Sequence, residues 1–96
     1  MRIVCLRLAV RDPFPRRKIQ AAVYARSGPG DMLEHFYVEM RADQAELVFF
    51  LHEDIGDRAT RTVLRLWGDV VCGVPALGEW TVLEAGPVRF VDPGPP

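Results

Sequence analysis

Four segments of the chain have the hydrophobic pattern of strands, with side chains that fall on two faces in turn. They cover residues 3–10, 36–41, 46–52 and 79–84, and in residues 36–41 one face is apolar and the other polar. Gly86 and Pro87 then indicate a turn, residues 88–91 are long enough only for a short edge segment, and residues 92–96 are predicted to be a flexible C-terminal tail. We therefore predict a single domain over residues 1–91.

Two further segments have the spacing of helices that pack against a sheet. Between Ala59 and Val70 the apolar residues recur every three or four positions, and Gly73 followed by Pro75 ends the run. Residues 16–26 fit either a helix or a strand, because their apolar residues match both periods. We predict a helix there, since alanine favours helices and disfavours strands, and keep the strand as the alternative.

The predicted elements follow one another as strand, helix, strand, strand, helix, strand. This is the split βαβ or ferredoxin-like order, βαββαβ, and it predicts an α+β fold with a four-stranded antiparallel sheet. The first and third strands are central in that topology. They are also the two strands, 3–10 and 46–52, that have apolar residues on both faces. Hydrophobicity and topology therefore indicate the same fold.

The second face of such a sheet is predicted to be apolar, although two helices cover only the first. The side chains expected on this second face are Ile3, Cys5, Tyr37, Val48, Phe50, His52 and Trp80. Monomers seldom leave an apolar patch of this size exposed. A second copy covers it most simply, because twofold association buries the same patch on both copies. We therefore predict a homodimer whose sheets face each other.

At the level of the fold, this predicted arrangement resembles the dimeric α+β barrels. That group includes small-ligand binders, cofactor-independent oxygenases and isomerases, and enzymes of polyketide and other natural-product pathways. The resemblance rests on the order of elements and on the second apolar face, with no shared motif. It therefore implies a barrel-like dimer and transfers no residue roles.

Composition narrows the class of protein further. Hydrophobic residues make up 49% of the chain and charged residues 26%, as in ordinary globular domains. No apolar run approaches the ~20 residues of a membrane-spanning helix, and no cleavage site follows the first strand, so we expect a cytoplasmic protein. Cys5 and Cys72 are too few and too far apart for a disulfide framework or a zinc site. With no glycine-rich phosphate loop either, neither a cofactor nor a metal is expected.

Charge is distributed unevenly along the chain. Residues 1–26 hold seven basic side chains and one acidic one, whereas residues 27–57 hold eight acidic and one basic. Such opposite charge in adjacent thirds is more typical of elements that neighbour each other than of a nucleic-acid surface, so nucleic acid is not an expected partner. Arg16, Arg17 and Lys18 form a basic run that either contacts an acidic partner or is simply solvated.

Four residues are candidates for acid–base chemistry. His52 followed by Glu53 ends a strand, where His52 could exchange protons while Glu53 orients it. His35, with Tyr37 nearby, is the second candidate. The alternative is structural: His52 lies at the rim of an interface, and Glu53 with Asp54 solvates the loop and caps the next helix. His35 can equally be a solvent-facing residue.

Candidates for ligand or interface contacts are the large apolar side chains Phe50, Val48, Trp80, Trp67 and Tyr24. Either tryptophan is large enough to wall a pocket, and core packing is the alternative for both.

Three functions remain open from the sequence. The first is a small dimeric binding or accessory protein of a bacterial pathway, natural-product biosynthesis included, that binds a small apolar or aromatic ligand or a protein partner. The second is a cofactor-independent enzyme of the dimeric α+β barrel type that uses His and Tyr in proton transfer. The third is a structural or regulatory module whose basic first third docks onto an acidic partner. The residues do not decide whether the chain is an enzyme.

Overall fold

A four-stranded antiparallel sheet and two helices make up the described part of the chain, residues 1–88 of the computed structural model. The strands are β1 (Arg2–Ala9), β2 (Leu33–Met40), β3 (Gln44–Leu51) and β4 (Thr81–Pro87), and the helices are α1 (Arg16–Arg26) and α2 (Ala59–Gly73). Short 3₁₀ segments occupy Pro29–Asp31, Glu53–Arg58 and Pro75–Glu79. The predicted α+β class, antiparallel sheet and two helices are confirmed.

The strands lie in the order β2-β3-β1-β4, so β1 and β3 are central and β2 and β4 are the edges. Along β1, Leu6 is paired with Leu47 of β3 on one side and with Ala85 of β4 on the other. The register shifts once in the β1–β4 pair and once in the β2–β3 pair. The two strands that are apolar on both faces are therefore the two with neighbours on both sides.

Helix α1 resolves the ambiguity over residues 16–26 in favour of the helix. It begins after Pro15 with no side-chain cap and no acidic residue in its first turn, and it buries only Ile19 and Val23. Because its intrinsic signals are weak, these two side chains packed on the sheet are its main source of stability.

Helix α2 has the predicted apolar stripe, and the buried residues are Ala59, Val63, Leu66, Trp67 and Val70. Its start differs from the prediction, because neither Asp54 nor any other side chain caps it. The 3₁₀ segment Glu53–Arg58 precedes it instead, and Gly56 within that segment has a φ of 58°. Only glycine adopts this conformation without strain, so Gly56 sets the kink at the start of α2.

The core lies between the helices and one face of the sheet. Its sheet side is formed by Val4, Leu6, Leu8, Phe36, Val38, Ala45, Leu47, Phe49 and Leu51, each at most 1% exposed. Trp80 belongs to this core as well, being 5% exposed, and its Nε1–H donates to the carbonyl of Asp12 at 3.1 Å. The prediction that Trp80 lies on the second face is wrong, because Trp80 ends the 3₁₀ segment and precedes β4.

Strand β4 also runs further than predicted. It covers Thr81–Pro87, so Gly86 and Pro87 belong to the strand and do not form the predicted turn. Pro87 is tolerated because β4 is an edge strand and its outer side needs no ladder hydrogen bond. The predicted edge segment 88–91, apart from Val88, and the predicted tail 92–96 lie outside the described residues. The N–H of Val88 donates to the carbonyl of Ile3. Neither helix is long and apolar enough to cross a membrane.

Candidate functional site

The face of the sheet opposite the core, called the open face below, has neither of the two described helices over it. Its residues alternate with core residues along each strand and are Ile3, Cys5, Arg7, Ala9, His35, Tyr37, Glu39, Glu46, Val48, Phe50, Glu84 and Gly86. Those on the central strands are half-buried by their neighbours, and those at the edges are mostly exposed. The open face therefore combines apolar and reactive side chains on one surface that neither described helix covers.

One half of the open face is apolar. Phe50 of β3 lies between Ile3 of β1 and His35 of β2, and the next row places Val48 between Cys5 and Tyr37. The imidazole of His35 stands 5.7 Å from the Phe50 ring, tilted by 53°. Tyr37 is 46% exposed. These two rows form a contiguous patch of the kind that a ligand or a partner covers.

The other half of the open face is charged. Glu46 of β3 lies between Arg7 and Glu39, and Nη2 of Arg7 is 2.9 Å from Oε2 of Glu84 on its far side. Glu46 has no ion pair within residues 1–88, and the Nε of Arg7 is enclosed without an acceptor there. This row therefore contains three carboxylates and one guanidinium, and its charges are only partly compensated by the described residues of one copy.

A cleft of about 270 Å³ joins the two halves between β1 and β4. Its lining residues are Cys5, Arg7, Glu46, Glu84, Gly86, Pro87 and Val88. Burial, and then the charges of Glu46 and Glu84, raise the pKa of Cys5, while Arg7 opposes them. The thiol therefore stays protonated near neutral pH, which makes it a poor nucleophile and a packing group of the patch.

The four acid–base candidates separate into two places. His35 and Tyr37 share the open face, where both side chains are exposed. His52 instead caps the 3₁₀ segment, because its Nδ1 accepts the Asp54 N–H at 3.1 Å. Glu53 does not orient His52, since its carboxylate lies 3.3 Å from the N-terminal amine of Met1. Of the predicted pairings, only that of His35 with Tyr37 brings two candidate groups onto one surface.

Tyr24 and the two tryptophans lie away from the open face. The ring of Tyr24 meets that of Phe36 edge-on at 6.4 Å, and its hydroxyl accepts the Phe36 N–H at 2.9 Å. Tyr24 therefore covers the outer edge of β2, and Trp67 and Trp80 fill the core. Phe50 and Val48 alone among the five ligand or interface candidates lie on the open face.

The basic run lies in the other layer of the molecule. Arg16, Arg17 and Lys18 occupy the first turn of α1, are exposed, and have no ion pair with any described residue. Because α1 packs on the core side of the sheet, these residues do not contribute to the open face.

Sequence reasoning missed the charged row, which consists of Arg7, Glu39, Glu46 and Glu84. Each lies at a position that alternation assigns to the second face, so the signal was present strand by strand. Their alignment into one row depends on strand register, which alternation does not contain. Within residues 1–88, no three His, Cys, Asp or Glu side chains cluster closely enough to hold a metal ion.

Comparison of the chain with protein-family models, with curated proteins and with solved structures found no match. Its function is therefore argued from the geometry of the open face.

Proposed function

We propose that this chain is a small homodimeric binding protein whose two copies face each other across their open faces and hold a small apolar or aromatic ligand between them. The observation that carries the proposal is the uncovered apolar patch on the central strands, formed by Ile3, Cys5, Val48 and Phe50 with Tyr37 beside it. The helices pack on the opposite side of the sheet and cannot cover it. An accessory role in a bacterial biosynthetic pathway, with a protein partner in place of the ligand, belongs to the same proposal.

The proposed fold is ferredoxin-like, and the proposed pair is barrel-like. The order of the two helices and four strands along the chain supports this, as does the strand order β2-β3-β1-β4. In this arrangement both helices pack on one face of the sheet, which leaves the other face for a second copy.

The size of the open face is compatible with such a pair. Four strands ~4.8 Å apart, each rising ~3.3 Å per residue over about eight residues, give a face of roughly 19 by 26 Å. The accessible surface of a face with side chains exceeds this projected area of roughly 500 Å², so the open face is of the same order as the ~800 Å² that each partner contributes to a standard interface. Because buried area does not fix the affinity, the mass must be measured over a range of concentrations.

The test compares two substitutions of exposed or half-exposed aliphatic residues. Val48→Lys places a charge in the centre of the apolar patch, whereas Leu64→Lys places one on α2, where Leu64 is 42% exposed. In sedimentation velocity from about 1 to 200 µM, we expect the wild type and Leu64→Lys to dimerise and Val48→Lys to remain monomeric, since a desolvated unpaired charge costs several kcal/mol.

Circular dichroism of both variants establishes that they are folded. A wild type that remains monomeric throughout this range contradicts the proposal. So does a Val48→Lys variant that dimerises as well as Leu64→Lys does.

Ligand binding is tested with 8-anilinonaphthalene-1-sulfonate as an aromatic probe. We expect its fluorescence to increase with the fraction of dimer, and Phe50→Ala to reduce this signal more than Leu64→Ala does. Binding that is equal in both variants, or that increases on dilution, would place the probe outside the dimer.

A second candidate function is favoured by one observation, the position of His35 beside Tyr37 on the open face. In this alternative, the dimer is a cofactor-independent enzyme in which the pair transfers a proton to or from a bound substrate. The measurement is deuterium exchange at the acidic C–H of an added aromatic ketone, followed by NMR. His35→Ala should abolish catalysed exchange and His52→Ala should retain it, while equal rates in both variants would exclude the His35 mechanism.

A further inference from the structure

The charged row of the open face, Arg7, Glu39, Glu46 and Glu84, indicates how two copies are oriented. We infer that the twofold axis of the dimer runs parallel to the strands, between β1 and β3, so that Arg7 of each copy pairs with the partner's Glu46. This inference rests on the proposed function, because it assumes that the two open faces meet.

Symmetry limits the possible orientations. Two identical faces point toward each other only when the twofold axis lies in the plane between them. When the two sheets pack in the aligned way, such an axis runs close to the strand direction, which keeps each row of residues opposite the same row of the partner, or close to the direction across the strands, which reverses the order of the rows. The chemistry of the rows distinguishes these two orientations.

An axis along the strands matches the apolar rows. Because β1 of one copy then lies over β3 of the other, Cys5 faces the partner's Val48 and Ile3 faces the partner's Phe50. These residues are already level with one another in the register of a single chain. The same operation therefore places the apolar half of the open face on the apolar half of the second copy.

The same axis also compensates the charged row. Arg7 is level with Glu46 in the register, so each guanidinium faces the partner's Glu46, and the symmetry makes two such pairs. Within residues 1–88 Glu46 has no ion pair, and Arg7 pairs with Glu84 through Nη2 while its side chain stays 43% exposed, which leaves further Nη donors for a second carboxylate. The two groups left incompletely paired within these residues are thus the two that the axis brings together.

The remaining carboxylates of the row lie at the rims of this interface. Glu39 would face the partner's Glu84, but each already has an arginine within its own chain, Arg41 at 3.7 Å and Arg7 at 2.9 Å. Both carboxylates are also well exposed, so solvent screens their repulsion. The central pairs therefore determine the electrostatic preference.

Sheet twist leaves these central pairs within reach. Packed sheets cross at about 30°, so residues about two positions, or ~6.6 Å, from the crossing point shift sideways by ~3–4 Å. Arginine and glutamate side chains are long enough to span that shift. An axis across the strands would instead place Arg7 opposite a different row of the partner. Where Arg7 faces the partner's Ile3, the guanidinium is desolvated. Where it faces the amine of the partner's Met1, two positive charges oppose each other.

The test uses charge reversal on separate chains. Arg7→Glu and Glu46→Arg each replace two attractive contacts between copies with two repulsive ones, so each variant alone should dimerise at least tenfold more weakly than the wild type. When the two variants are mixed in equal amounts, every contact between unlike copies is again attractive. We expect a heterodimer with a Kd within about threefold of the wild type, measured by sedimentation or by fluorescence exchange between labelled chains.

Mixing distinguishes contacts between copies from contacts within one chain. Arg7 and Glu46 are also direct neighbours across β1 and β3, so reversing both in a single chain restores the in-chain pair as well. The mixture does not restore it, because each chain keeps two like charges. The ion pair of Arg11 with Glu79, which lies outside the strands, provides the matched control. Arg11→Glu and Glu79→Arg should leave self-association unchanged.

The outcomes separate this inference from the function on which it rests. A wild type that dimerises, with no rescue in the mixture, overturns the axis and leaves the proposed dimer standing. A wild type that never dimerises overturns both. If a reversal unfolds the chain, Arg7→Gln and Glu46→Gln replace it, and each should reduce the salt dependence of the dimer Kd. An unchanged salt dependence in both variants also overturns the axis.

Discussion

The two faces of the sheet are built from the same four strands, but the helices cover only one of them. Along β3, Leu47, Phe49 and Leu51 are at most 1% exposed beneath the helices, while Val48 and Phe50 between them remain partly exposed. The residue types are similar, so hydrophobicity does not distinguish the faces. Coverage distinguishes them: within residues 1–88 the two helices cover one face and leave the other open.

Polar groups show the same difference. Away from the open face, the indole of Trp80 and the N–H of Phe36 each have a partner in the same chain. On the open face, Glu46 has no ion pair and the enclosed Nε of Arg7 has no acceptor within residues 1–88. A buried donor without an acceptor is costly, so the polar groups of the open face are the less completely paired ones in the described part of the chain.

The largest expected effect comes from adjacent phenylalanines on opposite faces. Phe49→Ala should lower the free energy of unfolding by about 3–5 kcal/mol, because it leaves a cavity in the core. Phe50→Ala should cost only about 1–2 kcal/mol in dilute protein, since its ring is partly solvated, and should weaken self-association as well. Urea unfolding and sedimentation measure both quantities. Equal losses of stability would mean that the open face is as covered as the core.

Two tyrosines provide the next comparison. Tyr24→Phe removes the acceptor for the Phe36 N–H, so we expect a loss of about 1 kcal/mol in the free energy of unfolding. Tyr37→Phe removes a hydroxyl with no hydrogen-bond partner in the described part of the chain, and its loss should be under about 0.3 kcal/mol. If Tyr37→Phe lowers the free energy of unfolding by more than this at protein concentrations where the chain dimerises, the hydroxyl makes a contact between copies.

The two histidines should differ by a smaller amount. His52→Ala removes the side chain that accepts the Asp54 N–H and should cost about 0.5–1 kcal/mol, with partial recovery in His52→Asn. His35→Ala should leave the unfolding of dilute protein nearly unchanged, since His35 is exposed and contacts the Phe50 ring. The measurement is urea unfolding at pH 8. A destabilising His35→Ala with a neutral His52→Ala would contradict these assignments.

The smallest effect concerns the two thiols. Burial, Glu46 and Glu84 raise the pKa of Cys5 above the ordinary value of 9.0. Stability from the protonated thiol is therefore complete below that value and is lost as pH rises through the higher folded pKa. Relative to Cys5→Ala, the wild type should lose stability above about pH 9, whereas Cys72→Ala should follow the wild type. Parallel curves for the wild type and Cys5→Ala would mean that neither burial nor the charged row raises the pKa of Cys5 in the folded protein.

Much of the fold followed from local pattern. The helical spacing from Ala59 to Val70 predicted α2, and the apolar residues on both faces of β1 and β3 predicted central strands. The start of β4 was predicted wrongly because Trp80 fits the alternation of a strand although it ends a 3₁₀ segment. Local pattern carries no information about that change in backbone conformation.

The candidate site was only partly predictable. Val48, Phe50, His35 and Tyr37 were found as individual candidates, and the structure places them on one surface. His52 was grouped with Glu53 because they are adjacent in sequence, whereas the backbone directs them to different partners. Neighbouring positions in the sequence therefore predicted the site less well than positions two apart along a strand, whose side chains share one face.

The sequence by itself determined the periods, the elements and the presence of apolar residues on both sides of the central strands, since these depend on side chains two to four positions apart. Only the tertiary structure decided which side the helices cover and which charged residues line up with Arg7 across the sheet. Those features depend on strand register and helix packing, which join residues far apart in the chain and are set by the total burial of the folded molecule.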